Sequence, residues 1–102
     1  MSVLAPTPPD RMVDAKGRPY FLWDEDITLD VFCSRLIDPD PEVRAYYLGK
    51  LMRQAKPDDV FTFASLRDIR ELFPLLVRYL GRTRDFWIWV LDQWKVVPGG
   101  AG

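Results

Sequence analysis

The chain has 102 residues, 48% of them apolar, a formal net charge of −1 and a pI near 5.3. That is enough for one domain with a small core, because a chain of this length buries only about 60–65% of its unfolded surface. The acidic balance argues against a chain-wide nucleic-acid binder, the absence of any apolar run approaching about 20 residues excludes a membrane-spanning helix, and a single cysteine, Cys33, excludes an internal disulfide.

Residues 1–17 are rich in proline, contain the turn signal Lys16-Gly17 and offer little apolar content. They read as a flexible arm that adds little to stability, with no signal peptide, and the expected compartment is the cytoplasm. The folded domain is expected over 18–97, followed by a flexible tail over 98–102. Tyr20-Phe21-Leu22-Trp23 is too short an apolar run for a helix and suggests an extended piece tucked against the core. Thr28 is placed to cap a helix over 29–37, with Val31, Phe32, Leu36 and Cys33 facing inward, and Asp38-Pro39 ends it.

Asp40 as cap, Pro41 at the first helical position and Glu42 in the first turn open a second helix, reaching about residue 55. Its inner face is Tyr47, Leu48, Leu51, Met52 and Ala55. Asp58 is expected to cap one further turn through Phe63. Ser65 with Asp68 has the spacing of a capping box, followed by the stripe Leu66, Ile69, Leu72 and Phe73. Pro74 interrupts or kinks that helix, Gly81 stops the apolar run after it, and Thr83 caps the last helix.

The last helix, RDFWIWVLDQWK over 84–95, carries three of the four tryptophans. At 100° per residue Phe86, Trp87, Val90, Leu91 and Trp94 share an arc of about 140°. Trp89 stands about 160° from Trp87, among Asp85, Asp92 and Gln93, so one layer cannot bury both. The expected core is Trp23, Phe32, Leu48, Leu51, Leu72, Phe73, Trp87, Leu91 and Trp94. The fold class is mainly α: a small single-domain bundle of about four to five short helices with a short extended N-terminal segment.

Chemistry is sparse. There is no histidine, which removes the commonest general base and metal ligand, and the glycines are isolated or terminal rather than grouped in a phosphate loop. No catalytic, metal or cofactor residues are assigned, and the chain is expected not to be an enzyme. Cys33 reads as a small core residue. Between Asp24 and Glu42 seven acids face one base, Arg35, so this segment is able to steer toward a basic protein surface. The partner-binding residues expected from these patterns are Trp89, Asp24, Glu25, Asp26 and Asp30. A rival reading uses Ser65–Phe73 as a helix-turn-helix recognition helix, with Arg67 and Arg70 outward, in a DNA-binding transcriptional regulator. Oligomeric state is left open.

Two signatures carry a resemblance. One is RPYFLWDED over 18–26, an aromatic run ending in Trp-Asp-x-Asp; the other is LRDIR over 66–70 followed by Trp87, Trp89 and Trp94. Together they resemble small bacterial proteins of unassigned function, similar to the antitoxin partners encoded beside abortive-infection-type nucleotidyltransferase toxins. The resemblance implies a helical, non-catalytic protein partner in a toxin–antitoxin system, and carries no functional residues with it.

Overall fold

The computed structural model describes residues 6–94, with the side chain of Trp94 outside that description. Six α-helices form one mainly helical unit: α1 (Pro9–Met12), α2 (Leu29–Leu36), α3 (Pro41–Gln54), α4 (Pro57–Phe63), α5 (Leu66–Leu76) and α6 (Arg84–Trp94). The described residues contain no strand, only an isolated antiparallel bridge between Val13 and Pro19. The expected class therefore holds, with α1 in addition.

Helix starts follow the local chemistry. Proline occupies an early helical position in α1, α3 and α4, where a missing N–H costs nothing. Thr28 and Asp40 accept from backbone N–H groups at the starts of α2 and α3, and Ser65 and Asp68 form a reciprocal capping box on α5. Two caps differ from expectation. The residue before α4 is Lys56, and Asp58 lies inside the helix. The Thr83 hydroxyl donates to the Leu80 carbonyl, closing the turn before α6. Pro74 sits inside α5, which runs two residues further and then tightens into a 3-10 turn, Val77–Tyr79. Gly81, at φ +54°, makes the left-handed bend that a side chain disfavours.

The long central helix α3 is flanked by α2, α4 and α5. Phe32, Leu48, Leu51, Met52, Val60, Ile69, Leu76, Leu80 and Trp87 fill the centre. Leu72, Phe73 and Leu91 are half-buried against it. At Gly49, α3 and the end of α5 approach so closely that an added Cβ would lie 2.9 Å from the Cβ of Tyr79. The indole N–H of Trp87 donates to the Met52 carbonyl, one of the last four of α3 and so lacking an intrahelical donor. The Arg70 guanidinium treats the end of α6 likewise, donating to Leu91.

Several expectations are corrected. The expected 1–17 arm is, over its described residues 6–17, attached to the domain. Met12 is buried in the core, and both the N–H and the hydroxyl of Thr7 donate to the Asp59 carboxylate at 2.6 Å. Residues 1–5 and the expected 98–102 tail lie outside the described residues. Tyr20–Leu22 is a 3-10 turn, not an extended piece. That geometry buries Phe21 and Leu22 and turns Trp23 outward, 76% exposed, so Trp23 leaves the expected core. On α2 the inner stripe is Leu29, Phe32 and Leu36, which puts Val31 and Cys33 on the exposed side. Phe86, expected inward, is 43% exposed, because only one side of α6 meets the domain.

Candidate interaction surfaces

The turn after Trp23 divides the acidic segment into two kinds of carboxylate. Asp24 and Glu25 close on Lys50 of α3, each at 2.7 Å from its ammonium, which is only 5% exposed. Tyr46 and Tyr47 donate their hydroxyls to Glu25, and the Gln54 amide spans from the Phe21 carbonyl to Asp24. Burial opposes charge on Lys50, but its bonds to Asp24 and Glu25 outweigh that and raise its pKa well above the ordinary lysine value. Asp24 is held below the usual carboxylate range first by Lys50; for Glu25, burial is outweighed by Lys50 and the two tyrosines. Lys50 is thus a locked cation and a poor nucleophile. Asp24 and Glu25, expected to meet a partner, are engaged in ion pairs within the chain.

Of the other acids, Asp26 and Asp30 are exposed, whereas Asp38 and Asp40 accept backbone N–H groups at the start of α3. The Asp26 side chain is 87% exposed, with Arg18 at 3.2 Å, and Asp30 lies exposed in the first turn of α2. Trp23 lines an open cleft of about 400 Å³ together with Val13, Pro19, Leu22 and the charged residues Arg11, Arg18 and Glu25. The sequence reading missed Trp23 as a surface residue, because its apolar run gave no sign of a 3-10 turn.

The second exposed aromatic region is the outer side of α6. Trp89 is 58% exposed, as its projection implied, and its ring lies 6.4 Å from that of Phe86. Ile88 on the neighbouring stripe is 41% exposed. The Trp23 turn and α6 are fastened to α3 at different points, the first at the Lys50 side chain and the second at the Met52 carbonyl.

A third cluster was invisible in the sequence. Asp59 is fully buried, and besides Thr7 it accepts from the Tyr20 hydroxyl, which in turn accepts the Lys56 N–H. Burial would raise its pKa, but the donors from Thr7 and Tyr20 prevail and lower it. Its partners are 52 and 39 positions away, so no local spacing flags it.

Among the described residues no group of three or more His, Cys, Asp or Glu is placed to hold a metal ion, and no buried side-chain polar atom lacks a partner. Nor is any described helix long and apolar enough to cross a membrane. Cys33 is exposed, with burial and then Asp30 raising its pKa, the opposite of an activated thiol. Comparison of the chain with family models, curated proteins and solved structures gives no match.

Proposed function

We propose that this chain is a non-catalytic protein-interaction domain, an antitoxin-like partner of a nucleotidyltransferase toxin of the kind its sequence signatures resemble. One observation carries the reading: two of the four tryptophans, Trp23 and Trp89, stand largely in water on a small helical domain. Tryptophan is the residue most enriched at interface hot spots, and a domain with so small a core gains little by exposing it. The Trp23 turn is the surface offered to the toxin. Its open carboxylates, Asp26 and Asp30, complement the basic surface of a protein that handles nucleic acid, and they speed encounter at low salt.

The non-catalytic part of the reading draws on how the ionisable groups are paired. The buried Lys50 and Asp59, and the partly exposed Asp24 and Glu25, are each engaged within the chain. The DNA-binding alternative has less support, since Arg70 is tied to the Leu91 carbonyl and Arg67 lies beside Glu71 on the same helix. The test is co-expression with the product of the adjacent gene. Co-purification that is lost in Trp23→Ala, and weakened as salt rises, supports the reading. A gel shift on upstream DNA without any protein partner would replace it with the regulator.

A further inference from the structure

We infer that α6 pairs antiparallel with α6 of a second copy of this chain across a two-fold axis near Ile88. The inference rests on the reading of exposed tryptophans as interface anchors, and names the occupant of the Trp89 side. Residues four apart on a helix form one ridge, and the outer side of α6 presents two. The first is Arg84, Ile88 and Asp92; the second is Asp85, Trp89 and Gln93. All six are exposed. Each ridge has an apolar centre and polar ends of different character, so each is complementary to itself when reversed.

In the antiparallel arrangement Arg84 of one copy meets Asp92 of the other, and symmetry makes that contact twice. Ile88 meets Ile88 on the axis, Trp89 packs beside it, and the Gln93 amide reaches the carboxylate of Asp85 in the second copy. The helix dipoles also oppose. A parallel arrangement would set arginine against arginine and aspartate against aspartate, which selects the antiparallel one.

The area is of the right size. Trp89 at 58% and Ile88 at 41% exposure leave roughly 250 Å² of apolar side-chain surface per chain. Two copies give about 500 Å², more than half of the roughly 800 Å² apolar share expected in a homodimer interface of about 1,200 Å². The polar ends of the ridges supply the rim.

Sedimentation velocity on the full chain over a wide concentration range tests this. The mass is expected to rise from one chain to two with a blue shift of tryptophan emission, and Trp89→Ala is expected to remain a single chain with an unchanged circular dichroism spectrum. Charge reversal fixes the geometry: Arg84→Asp and Asp92→Arg should each fail to self-associate, yet the two variants mixed should form a heterodimer. A wild-type chain that stays monomeric at every concentration overturns the inference, as does a dimer indifferent to both Trp89→Ala and the reversals. Either result leaves toxin binding through the Trp23 turn standing, because co-purification lost in Trp23→Ala reads that separately.

Discussion

The indole N–H of Trp87 lies 2.9 Å from the Met52 carbonyl, a buried bond between residues 35 positions apart. It joins the last helix to the free end of α3, and the same indole packs against Phe61 of α4. Trp87 therefore fills volume and satisfies a helix end at once. Trp87→Ala should destabilise the domain by about 3–5 kcal/mol, comparable to the whole stability of so small a fold. Trp87→Phe keeps most of the apolar volume but orphans the carbonyl, for about 1–3 kcal/mol. Urea unfolding of the two variants checks the ranking, and a Trp87→Phe chain as stable as wild type would show that the hydrogen bond contributes nothing.

The Lys50 cluster gives stability a pH signature. Asp24, Glu25 and Asp59 all have pKa values lowered by folding, so their contribution is present above the unfolded values, near 4, and is lost as pH falls through the lower folded ones. Lys50 is raised, so its contribution is complete below the ordinary lysine value and fades only as pH climbs through the higher folded one. Melting temperature should hold level from about pH 5 to pH 9 and fall below about pH 4. Lys50→Met should flatten part of that acid limb, since it removes the cation that lowers Asp24 and Glu25. An acid limb identical to wild type would show that these carboxylates do not feel Lys50.

The described part of the N-terminal segment should matter for stability. Deleting residues 1–13 removes Met12 from the core and takes two donors from the buried carboxylate of Asp59. Burial of one such side chain and satisfaction of one such group together suggest a loss of about 3–5 kcal/mol. Thr7→Val isolates the hydroxyl share, at about 1 kcal/mol. A truncated chain that melts with the full one would restore the arm expected from composition.

At Gly49 α3 lies close against Leu76 and Tyr79. Alanine normally favours a helix over glycine by about 1 kcal/mol. Here an added Cβ would meet the Tyr79 Cβ at 2.9 Å and the Leu76 carbonyl oxygen at 3.2 Å. Neither is the end of a flexible side chain, so overpacking should win and Gly49→Ala should destabilise by about 1–3 kcal/mol. Stabilisation on thermal melting would mean that α3 and α5 separate more easily than their packing suggests.

What the sequence disclosed and what it hid follow one division. Helix limits were legible because their signals are local: Thr28, Asp40 with Pro41, and Ser65 with Asp68 each act within three residues. Trp87, Val90 and Leu91 of the inner stripe of α6 were legible because a 3.6-residue period needs no knowledge of the partner. Trp89 could be singled out for the same reason. Trp23 was misread, and the internal partners of Asp24, Glu25 and Asp59 stayed hidden, because their environments depend on distant residues. Whether Asp24 faces water or Lys50 is decided by how the 3-10 turn lies on α3, and the burial of Asp59 goes with donors from Thr7 and Tyr20. These remote anchors moved the candidate surface from the whole acidic run to Trp23, Asp26 and Asp30.

The exposed tryptophans should separate binding from folding. Trp23 and Trp89 are 76% and 58% exposed, so alanine at either should change unfolding free energy by no more than about 0.5 kcal/mol. Loss of a tryptophan anchor from an interface costs about 2 kcal/mol or more, roughly thirtyfold in affinity. Trp23→Ala should therefore weaken capture of the adjacent gene's product while leaving self-association intact, and Trp89→Ala should do the reverse. Isothermal titration and sedimentation on the same two proteins, with melting curves as controls, read all four effects. If Trp23→Ala instead unfolds the chain, the indole supports the turn that carries Asp24 and Glu25, and the partner surface passes to Asp26 and Asp30 alone. If Trp89→Ala leaves self-association unchanged, α6 is not the contact, since among the described residues no other on its outer side exposes as much apolar surface.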